Sequence, residues 1–137
     1  MARILSIDYG KKRTGLAVTD PLQLIAGGLA TVATHELFDY LCRYVAQEPV
    51  ERLVIGEPRQ PNGQPSENLE RVRQFVNRWR KAMPQIPIEY YDERFTSVLA
   101  HQAMIDGGLK KKARQDKGLV DEISATIILQ DYMRARK

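Results

Sequence analysis

Alternating apolar and polar positions at the start of the chain predict three β-strands. Residues 3–8 form the first alternating run, and a glycine-bounded turn at residues 9–15 separates it from a second run at residues 16–19. A third run covers residues 28–34, beyond a break at Pro21. We therefore expect the chain to begin with a β-hairpin that extends into a three-stranded meander.

Helical spacing takes over in the middle of the chain. Apolar residues recur every three or four positions over residues 36–47, which predicts a helix. The short apolar run within residues 52–56 is typical of a parallel strand that is buried on both faces. A second helix is expected at residues 66–83, with Ser66 as its N-cap and an apolar stripe opposite a basic face.

The remaining pattern predicts one more strand and two more helices. The strand covers residues 86–91, and Pro87 places it at a sheet edge because proline cannot donate a ladder hydrogen bond. The helices cover residues 96–105 and 119–133. The predicted order is βββαβαβαα, an α/β fold with a five-stranded mixed sheet and helices on both faces.

Carboxylates mark the points where several predicted strands end. Right-handed helical crossovers would make strands one, four and five mutually parallel, so that their carboxyl ends share one edge of the sheet. Asp8, Glu57 and the pair Asp92 and Glu93 stand at these ends, and Asp121 opens the last helix. Open α/β sheets bind ligands along this edge. The pattern therefore predicts a cation site there.

Size and composition indicate one ordinary domain, residues 1–137. No apolar run approaches the roughly 20 residues that cross a bilayer, and an acidic residue comes too early for a secretory signal. We therefore expect no membrane association and a cytoplasmic location. A single cysteine, Cys42, excludes an internal disulfide and fits a reducing compartment.

Positive charge is concentrated near the C-terminal end of the sequence. Residues 107–118 contain five cationic side chains and one anionic side chain, so their net charge of +4 equals that of the whole chain. Glycines flank this segment, so we expect a mobile basic loop. Its position before Asp121 suggests a clamp on a nucleic-acid backbone, and a solubilising loop is the alternative. The candidate contacts are Lys110, Lys111, Lys112, Arg114 and Lys117.

Four segments resemble one known family. They are Ile-Asp-Tyr-Gly-Lys-Lys-Arg-Thr-Gly-Leu-Ala at 7–17, Val-Ile-Gly-Glu-Pro at 54–58, Asp-Glu-Arg-Phe-Thr-Ser at 92–97 and Val-Asp-Glu-Ile-Ser-Ala at 120–125. In order and spacing they resemble the YqgF/RuvX family, a branch of the RNase H-like nucleases related to the RuvC junction resolvases. The resemblance implies an RNase H-like fold and a hydrolase, either an endo- or an exonuclease, that processes the 5′ end of pre-16S rRNA.

The resemblance also implies the catalytic residues. It makes Asp8, Glu93 and Asp121 a triad that binds Mg²⁺ or Mn²⁺, and two such ions could position water and neutralise the phosphate. Carboxylates suit these hard cations, whereas His35 and His101 offer no zinc-binding spacing. Two structural alternatives stay open: Asp8 could initiate a turn, and Asp121 could stabilise a helix N-terminus.

Other acidic positions are less clearly assigned. Glu57 departs from the family pattern, which often has an apolar residue there, so it either adds a metal ligand or faces solvent. Asp92 is expected to support its neighbour Glu93. Glu122 follows Asp121 on a helix, where successive side chains point about 100° apart, so both are not expected to bind one ion.

Basic residues close to the triad are the candidate substrate contacts. Lys11, Lys12 and Arg13 occupy the turn after Asp8 and could hold a phosphate, or could simply be solvated. Arg94 could hold the scissile phosphate or pair with a nearby carboxylate.

Three functional classes follow from these observations. The favoured class is a nuclease that acts on precursor rRNA, or on branched DNA as a Holliday-junction resolvase. The second is an actin-like phosphotransferase, which would need two such domains. The third is a non-catalytic RNA-binding or ribosome-assembly module. A monomer or a weak homodimer is expected.

Overall fold

The computed structural model describes residues 2–57, 68–92 and 117–135, with the backbone alone for 117–120. Five strands and three helices make up this part of the chain. They are β1 (Arg3–Tyr9), β2 (Arg13–Thr19), β3 (Ala26–Ala33), a 3-10 turn (Thr34–Glu36), α1 (Leu37–Gln47), β4 (Val50–Glu57), α2 (Leu69–Ala82), β5 (Ile88–Asp92) and α3 (Lys117–Ala135).

The five strands form one mixed sheet in the order β3-β2-β1-β4-β5. β1 is antiparallel to β2 and parallel to β4, and β4 is parallel to β5. The predicted meander, the parallel strands and the edge position of the last strand are thereby confirmed. That strand begins at Ile88 and not at 86. Pro87 precedes it, and its carbonyl accepts a hydrogen bond from the Leu53 N–H at 2.9 Å.

The sheet is covered on both faces, as predicted, and each face has its own apolar cluster. On one face Leu5 and Ile7 of β1 pack with residues of α1 and α2, including Leu41 and Trp79. On the other face the cluster consists of Ile4, Ala17 and Val54 from the sheet with Ala125, Ile128, Leu129 and Tyr132 from α3. Side chains alternate along β1 between these faces, and this alternation decides where a functional side chain on the strand points.

Several element boundaries differ from the sequence prediction. α2 begins after Asn68 as its N-cap, and the expected cap Ser66 lies outside the described residues, as does the predicted helix at 96–105. α3 starts at Lys117, so Lys117 and Gly118 are helical, although the prediction assigned both to the basic loop. The rest of that loop, 107–116, is not described. Within the described part of the chain, no helix is long and apolar enough to cross a membrane.

Candidate active site

Asp8 lies on the face of the sheet that α3 covers. Two residues earlier on β1, the buried Ser6 hydroxyl donates a 2.6 Å hydrogen bond to the Ala125 carbonyl of α3. Because residues two apart on a strand point to the same face, Asp8 points toward α3 as well. Asp8 is partly buried and lies near the carboxyl end of β1.

Gly15 brings Asp121 onto the same patch of the sheet. In the β1–β2 ladder Gly15 is the register partner of Asp8. A Cβ on Gly15 would lie only 2.1 Å from the Asp121 carbonyl oxygen and 2.9 Å from the Asp121 Cβ. The start of α3 therefore rests directly on the glycine backbone, and any larger residue at position 15 would push the helix away.

The spacing along strand and helix keeps the two aspartates together. From Ser6 to Asp8 the strand advances about 6.6 Å, and from Ala125 back to Asp121 the helix advances about 6 Å. Since Ser6 is bonded to Ala125, these matching advances carry Asp121 to the level of Asp8. Asp8 and Asp121 thus share one face although they are far apart in the sequence.

Arg13 contacts the candidate site directly. Its Nε donates a hydrogen bond to Oδ2 of Asp121 at 3.1 Å, with the Arg13 side chain 43% and the Asp121 side chain 24% exposed. The sequence suggested Arg13 as a phosphate contact, and in the structure its guanidinium neutralises a carboxylate of the candidate triad. Lys11 and Lys12 are exposed in the turn before it.

Glu57 and Asp92 lie at the expected edge but on the other face. They are register partners at the ends of β4 and β5. Alternation places Glu57 with Leu53 and Ile55, and Asp92 with Tyr90, all toward α1 and α2. The pKa of Tyr90 is raised chiefly by burial, and the charge of Glu57 contributes to the rise. A shared edge therefore does not bring Glu57 to the metal position that Asp8 and Asp121 would form.

Glu122 is also separated from the two aspartates. Its Cβ and Oε1 lie 3.7 and 3.8 Å from the Cβ that Gly28 of β3 would carry. β3 is two strands away from β1 in the sheet. Asp121 and Glu122 therefore diverge over different strands, as their positions on the helix suggested.

Several predicted site residues fall outside the described part of the chain. They are Glu93, Arg94, Lys110, Lys111, Lys112 and Arg114, and for Lys117 only the backbone is described. Within residues 2–57, 68–92 and 117–135, no three acidic, histidine or cysteine side chains come close enough to hold a metal ion. Asp8 and Asp121 supply two hard oxygen donors, which fit Mg²⁺ or Mn²⁺, and a third ligand would have to come from elsewhere.

Sequence reasoning missed the residues that position this pair. Ser6 looked like an ordinary polar position in an alternating strand, and Gly15 like a residue that eases a turn. Their contacts with α3 join residues 119 positions apart for Ser6 and Ala125. The one available signal was a small residue opposite an aspartate in the predicted hairpin.

Comparisons with known proteins identify the family and the fold of the chain. The model of the family described as "RuvX: Holliday junction resolvase" matches residues 2–135. A Phocaeicola vulgatus protein named "Putative pre-16S rRNA nuclease" is 66% identical over 137 residues, covering 100% of this chain and 99% of the relative. A Bacteroides thetaiotaomicron protein of the same name is 60% identical over 137 residues, with 100% and 99% covered.

The solved structures include one with the same fold. It is titled "T. thermophilus RuvC in complex with Holliday junction substrate" and matches with a TM-score of 0.58 at 17% identity, covering 99% of this chain and 96% of that one. This likeness confirms the expected RNase H-like fold. The family model, which matches nearly the whole chain, and the relatives at 60% identity or more show that the chain belongs to the RuvX family.

Proposed function

We propose that this chain is a nuclease dependent on divalent metal ions, and that its substrate is precursor 16S rRNA. The observation that carries the proposal is the meeting of Asp8 and Asp121 over Gly15, at the carboxyl end of β1. The names of the relatives from Phocaeicola and Bacteroides support rRNA as the substrate. Since rRNA is processed where ribosomes assemble, the proposal also places the chain in the cytoplasm.

The proposed roles follow from the chemistry of the donors. Asp8 and Asp121, together with Glu93, would hold Mg²⁺ or Mn²⁺, with Asp8 as the principal ligand. The ions held there would supply activation of water and neutralisation of charge on the phosphate and the leaving oxygen. The β1 ladder fixes the backbone at Asp8, and the seat of α3 on Gly15 fixes the backbone at Asp121, so both positions are in place before substrate binds.

Basic side chains beside the two aspartates would hold the substrate. Arg13 lies next to Asp121, and its planar guanidinium can bind a phosphate oxygen of a strand that reaches this face. Lys11 and Lys12 in the same turn raise the local positive potential. We propose the same role for Arg94, Lys110, Lys111, Lys112, Arg114 and Lys117, which the sequence places around the triad.

A junction resolvase is the second candidate function. The description of the matching family favours this function, and a resolvase also hydrolyses phosphodiester bonds. A resolvase cuts two strands across a junction and so needs two sites held in a dimer. The proposed rRNA nuclease works as a monomer or a weak homodimer, so the oligomeric state separates the two candidates.

The test compares wild type with Asp8→Asn on a precursor 16S rRNA fragment and on a four-way DNA junction, with Mg²⁺ and Mn²⁺ titrated. Asp39→Asn is the matched control, because Asp39 is an exposed carboxylate on α1, on the other face of the sheet. We expect wild type and Asp39→Asn to cut the RNA, and Asp8→Asn to bind it without cutting.

Two results would overturn the proposal. Equal cutting by Asp8→Asn and wild type would remove Asp8 from the mechanism. Salt-sensitive RNA binding by wild type with no cleavage in either metal would instead indicate a non-catalytic RNA-binding module. Cutting of the junction alone, by a dimer, would favour the resolvase.

A further inference from the structure

A basic cavity of about 470 Å³ lies on the face of the sheet opposite Asp8 and Asp121. It forms where the end of β1 and the turn after it meet α1 and α2. Its cationic and aromatic lining residues are Tyr9, Lys11, Phe38, Arg71, Phe75 and Arg78. The basic face of α2 therefore contributes two arginines, Arg71 and Arg78, to a concave surface.

The chemistry of the lining combines positive charge with aromatic surface. Lys11, Arg71 and Arg78 are exposed cations, and no acidic side chain is among the described residues that line the cavity. The nearby Glu36 carboxylate is 3.8 Å from Nε2 of His35. Cations next to aromatic rings are the usual means of holding the phosphate and the base of an unpaired nucleotide.

The aromatic wall is packed into the core, so it is in place before any ligand binds. The Tyr9 and Phe75 rings lie 5.8 Å apart, and Phe38 contacts Phe75 edge-on at 6.4 Å. The guanidinium carbon of Arg78 lies 3.8 Å from the centre of the Phe38 ring. This contact holds one face of the guanidinium against the aromatic ring and limits the motion of the Arg78 side chain.

Hydrogen bonds fix the backbone around the cavity. The Thr34 hydroxyl donates to the Gly10 carbonyl at 2.7 Å, and the Thr34 N–H donates to the Lys12 carbonyl at 2.9 Å. The Asn68 side chain donates to the Tyr9 carbonyl at 2.8 Å. The turn that carries Lys11 is therefore tied to the end of β3, and the start of α2 to the end of β1.

The same turn also connects the cavity with the candidate active site. Tyr9 follows Asp8 on β1 and points to the opposite face, into the cavity. Lys11 lines the cavity, whereas Arg13 reaches Asp121 on the other face. The cavity and Asp8 therefore lie at the same end of the sheet, on opposite faces.

We propose that this cavity binds an unpaired nucleotide of the substrate strand. Lys11, Arg71 and Arg78 hold its phosphate, and the aromatic wall receives its base or sugar. The inference rests on the proposed function for the identity of the strand, but the binding itself needs no cleavage. It predicts a preference for substrates with a single-stranded segment next to the cut, because duplex bases are stacked and cannot enter the cavity.

The experiment measures binding of a short fluorescent single-stranded RNA without divalent metal, by anisotropy over a range of salt concentrations. The variant Arg71→Gln/Arg78→Gln is compared with wild type and with Arg73→Gln/Lys81→Gln. Arg73 and Lys81 are exposed cations of α2 that do not line the cavity, so both variants lose the same charge. Circular dichroism and urea unfolding verify that each variant is folded.

We expect the cavity variant to bind the RNA at least tenfold more weakly than the control variant. The slope of log affinity against log salt should become less negative than that of wild type by about 1.4, which is about 0.7 for each lost contact with a single-stranded phosphate. A blunt RNA duplex should bind all three proteins within about twofold of one another, because it offers no unpaired base. Nucleoside monophosphate should compete with the strand, and inorganic phosphate should compete only weakly.

Equal affinities and equal salt slopes for the two variants would overturn the inference. So would equal competition by inorganic phosphate and nucleoside monophosphate, because the cavity would then be an anion site without a base contact. The proposed nuclease fails separately, if wild type never cuts RNA. If the cavity variant cuts and binds RNA as well as wild type does, the proposed nuclease activity stands and the cavity has no part in substrate binding.

Discussion

Arg13 donates a hydrogen bond to Asp121 across the face of the sheet that carries Asp8, with 3.1 Å between Nε and Oδ2. The two residues are 108 positions apart in the sequence and belong to β2 and α3. The bond holds a guanidinium at the carboxylate oxygen that a metal ion would need. Arg13 and a bound cation therefore compete for Asp121, and this competition can be measured.

Replacing Arg13 by glutamine should strengthen metal binding while leaving the fold intact. The ion pair is partly exposed, so its loss should cost no more than about 1 kcal/mol of unfolding free energy without metal. With metal, Arg13→Gln should reach half of its maximal thermal stabilisation at a lower Mn²⁺ concentration than wild type. The measurement is a melting curve at increasing Mn²⁺.

Lys12→Gln is the control for Arg13→Gln, because it removes the same charge from the same exposed turn. If both variants shift the Mn²⁺ midpoint equally, the effect comes from overall charge, and the prediction that Arg13 competes with the metal for Asp121 is wrong.

Gly15→Ala should displace the start of α3 and reduce both stability and activity. The added Cβ would lie 2.1 Å from the Asp121 carbonyl oxygen, which belongs to the backbone and cannot rotate away. We expect a loss of about 1–3 kcal/mol or more in unfolding free energy, the usual cost of forcing an extra carbon into a packed interior. Urea unfolding and the cleavage rate on precursor rRNA measure the two effects.

Gly27→Ala provides a matched control in the neighbouring strand β3. A Cβ on Gly27 would meet nothing within 4 Å, so this variant should keep wild-type activity and change stability by less than about 0.5 kcal/mol. Equal effects of the two substitutions would show that Gly15 acts through strand propensity and not by seating Asp121.

Most of the fold could be predicted because it depends on local patterns. Alternation over residues 3–8 and the apolar run at 52–56 correspond to β1 and β4, and connection handedness gave their parallel pairing. Pro87 correctly indicated an edge strand, although that strand starts one residue after it. These signals involve neighbours in sequence, where steric and hydrogen-bonding constraints act directly.

The candidate site was harder to predict because it depends on which face of the sheet a side chain occupies. Asp8 and Glu57 both stand at the carboxyl edge, yet β1 and β4 are buried on both faces, so their apolar runs do not show which helix each side chain faces. Contacts across the sequence, such as that between Ser6 and Ala125, establish that Asp8 faces α3. The division of one turn between Lys11 and Arg13, toward opposite faces, had no sequence signal either.

Asp121→Asn should remove metal binding without unfolding the protein. Asparagine has nearly the same shape but no negative charge, so Mn²⁺ should no longer raise the melting temperature. The cleavage rate should fall by more than about 100-fold, which exceeds the loss typical of residues that only position a metal ligand. Asp131→Asn is the control on the same helix, where Asp131 is 3.5 Å from Arg134. If Mn²⁺ stabilises Asp121→Asn as much as it stabilises wild type, Asp121 is not a metal ligand.

Tyr132 should make the stability of the protein fall above pH 10. Its hydroxyl donates to Glu89 and accepts a 3.1 Å hydrogen bond from Arg52, which ties α3 to β4 and β5. Burial raises the pKa of the Tyr132 phenol above its ordinary value of 10.0, and the hydrogen bond to Glu89 raises it further. The neutral phenol is therefore favoured in the folded state.

The direction of the pH effect follows from this shift. Below pH 10 the phenol is neutral in both the folded and the unfolded chain, so its contribution to stability is fully present. As the pH rises past 10, the unfolded chain loses the proton first, and stability falls until the folded phenol also ionises. Tyr132→Phe should lose about 1 kcal/mol at neutral pH, the usual worth of a hydrogen bond, but should show a shallower decline above pH 10. Urea midpoints on both sides of pH 10 test this, and parallel declines for the two proteins would exclude Tyr132 as a source of the effect.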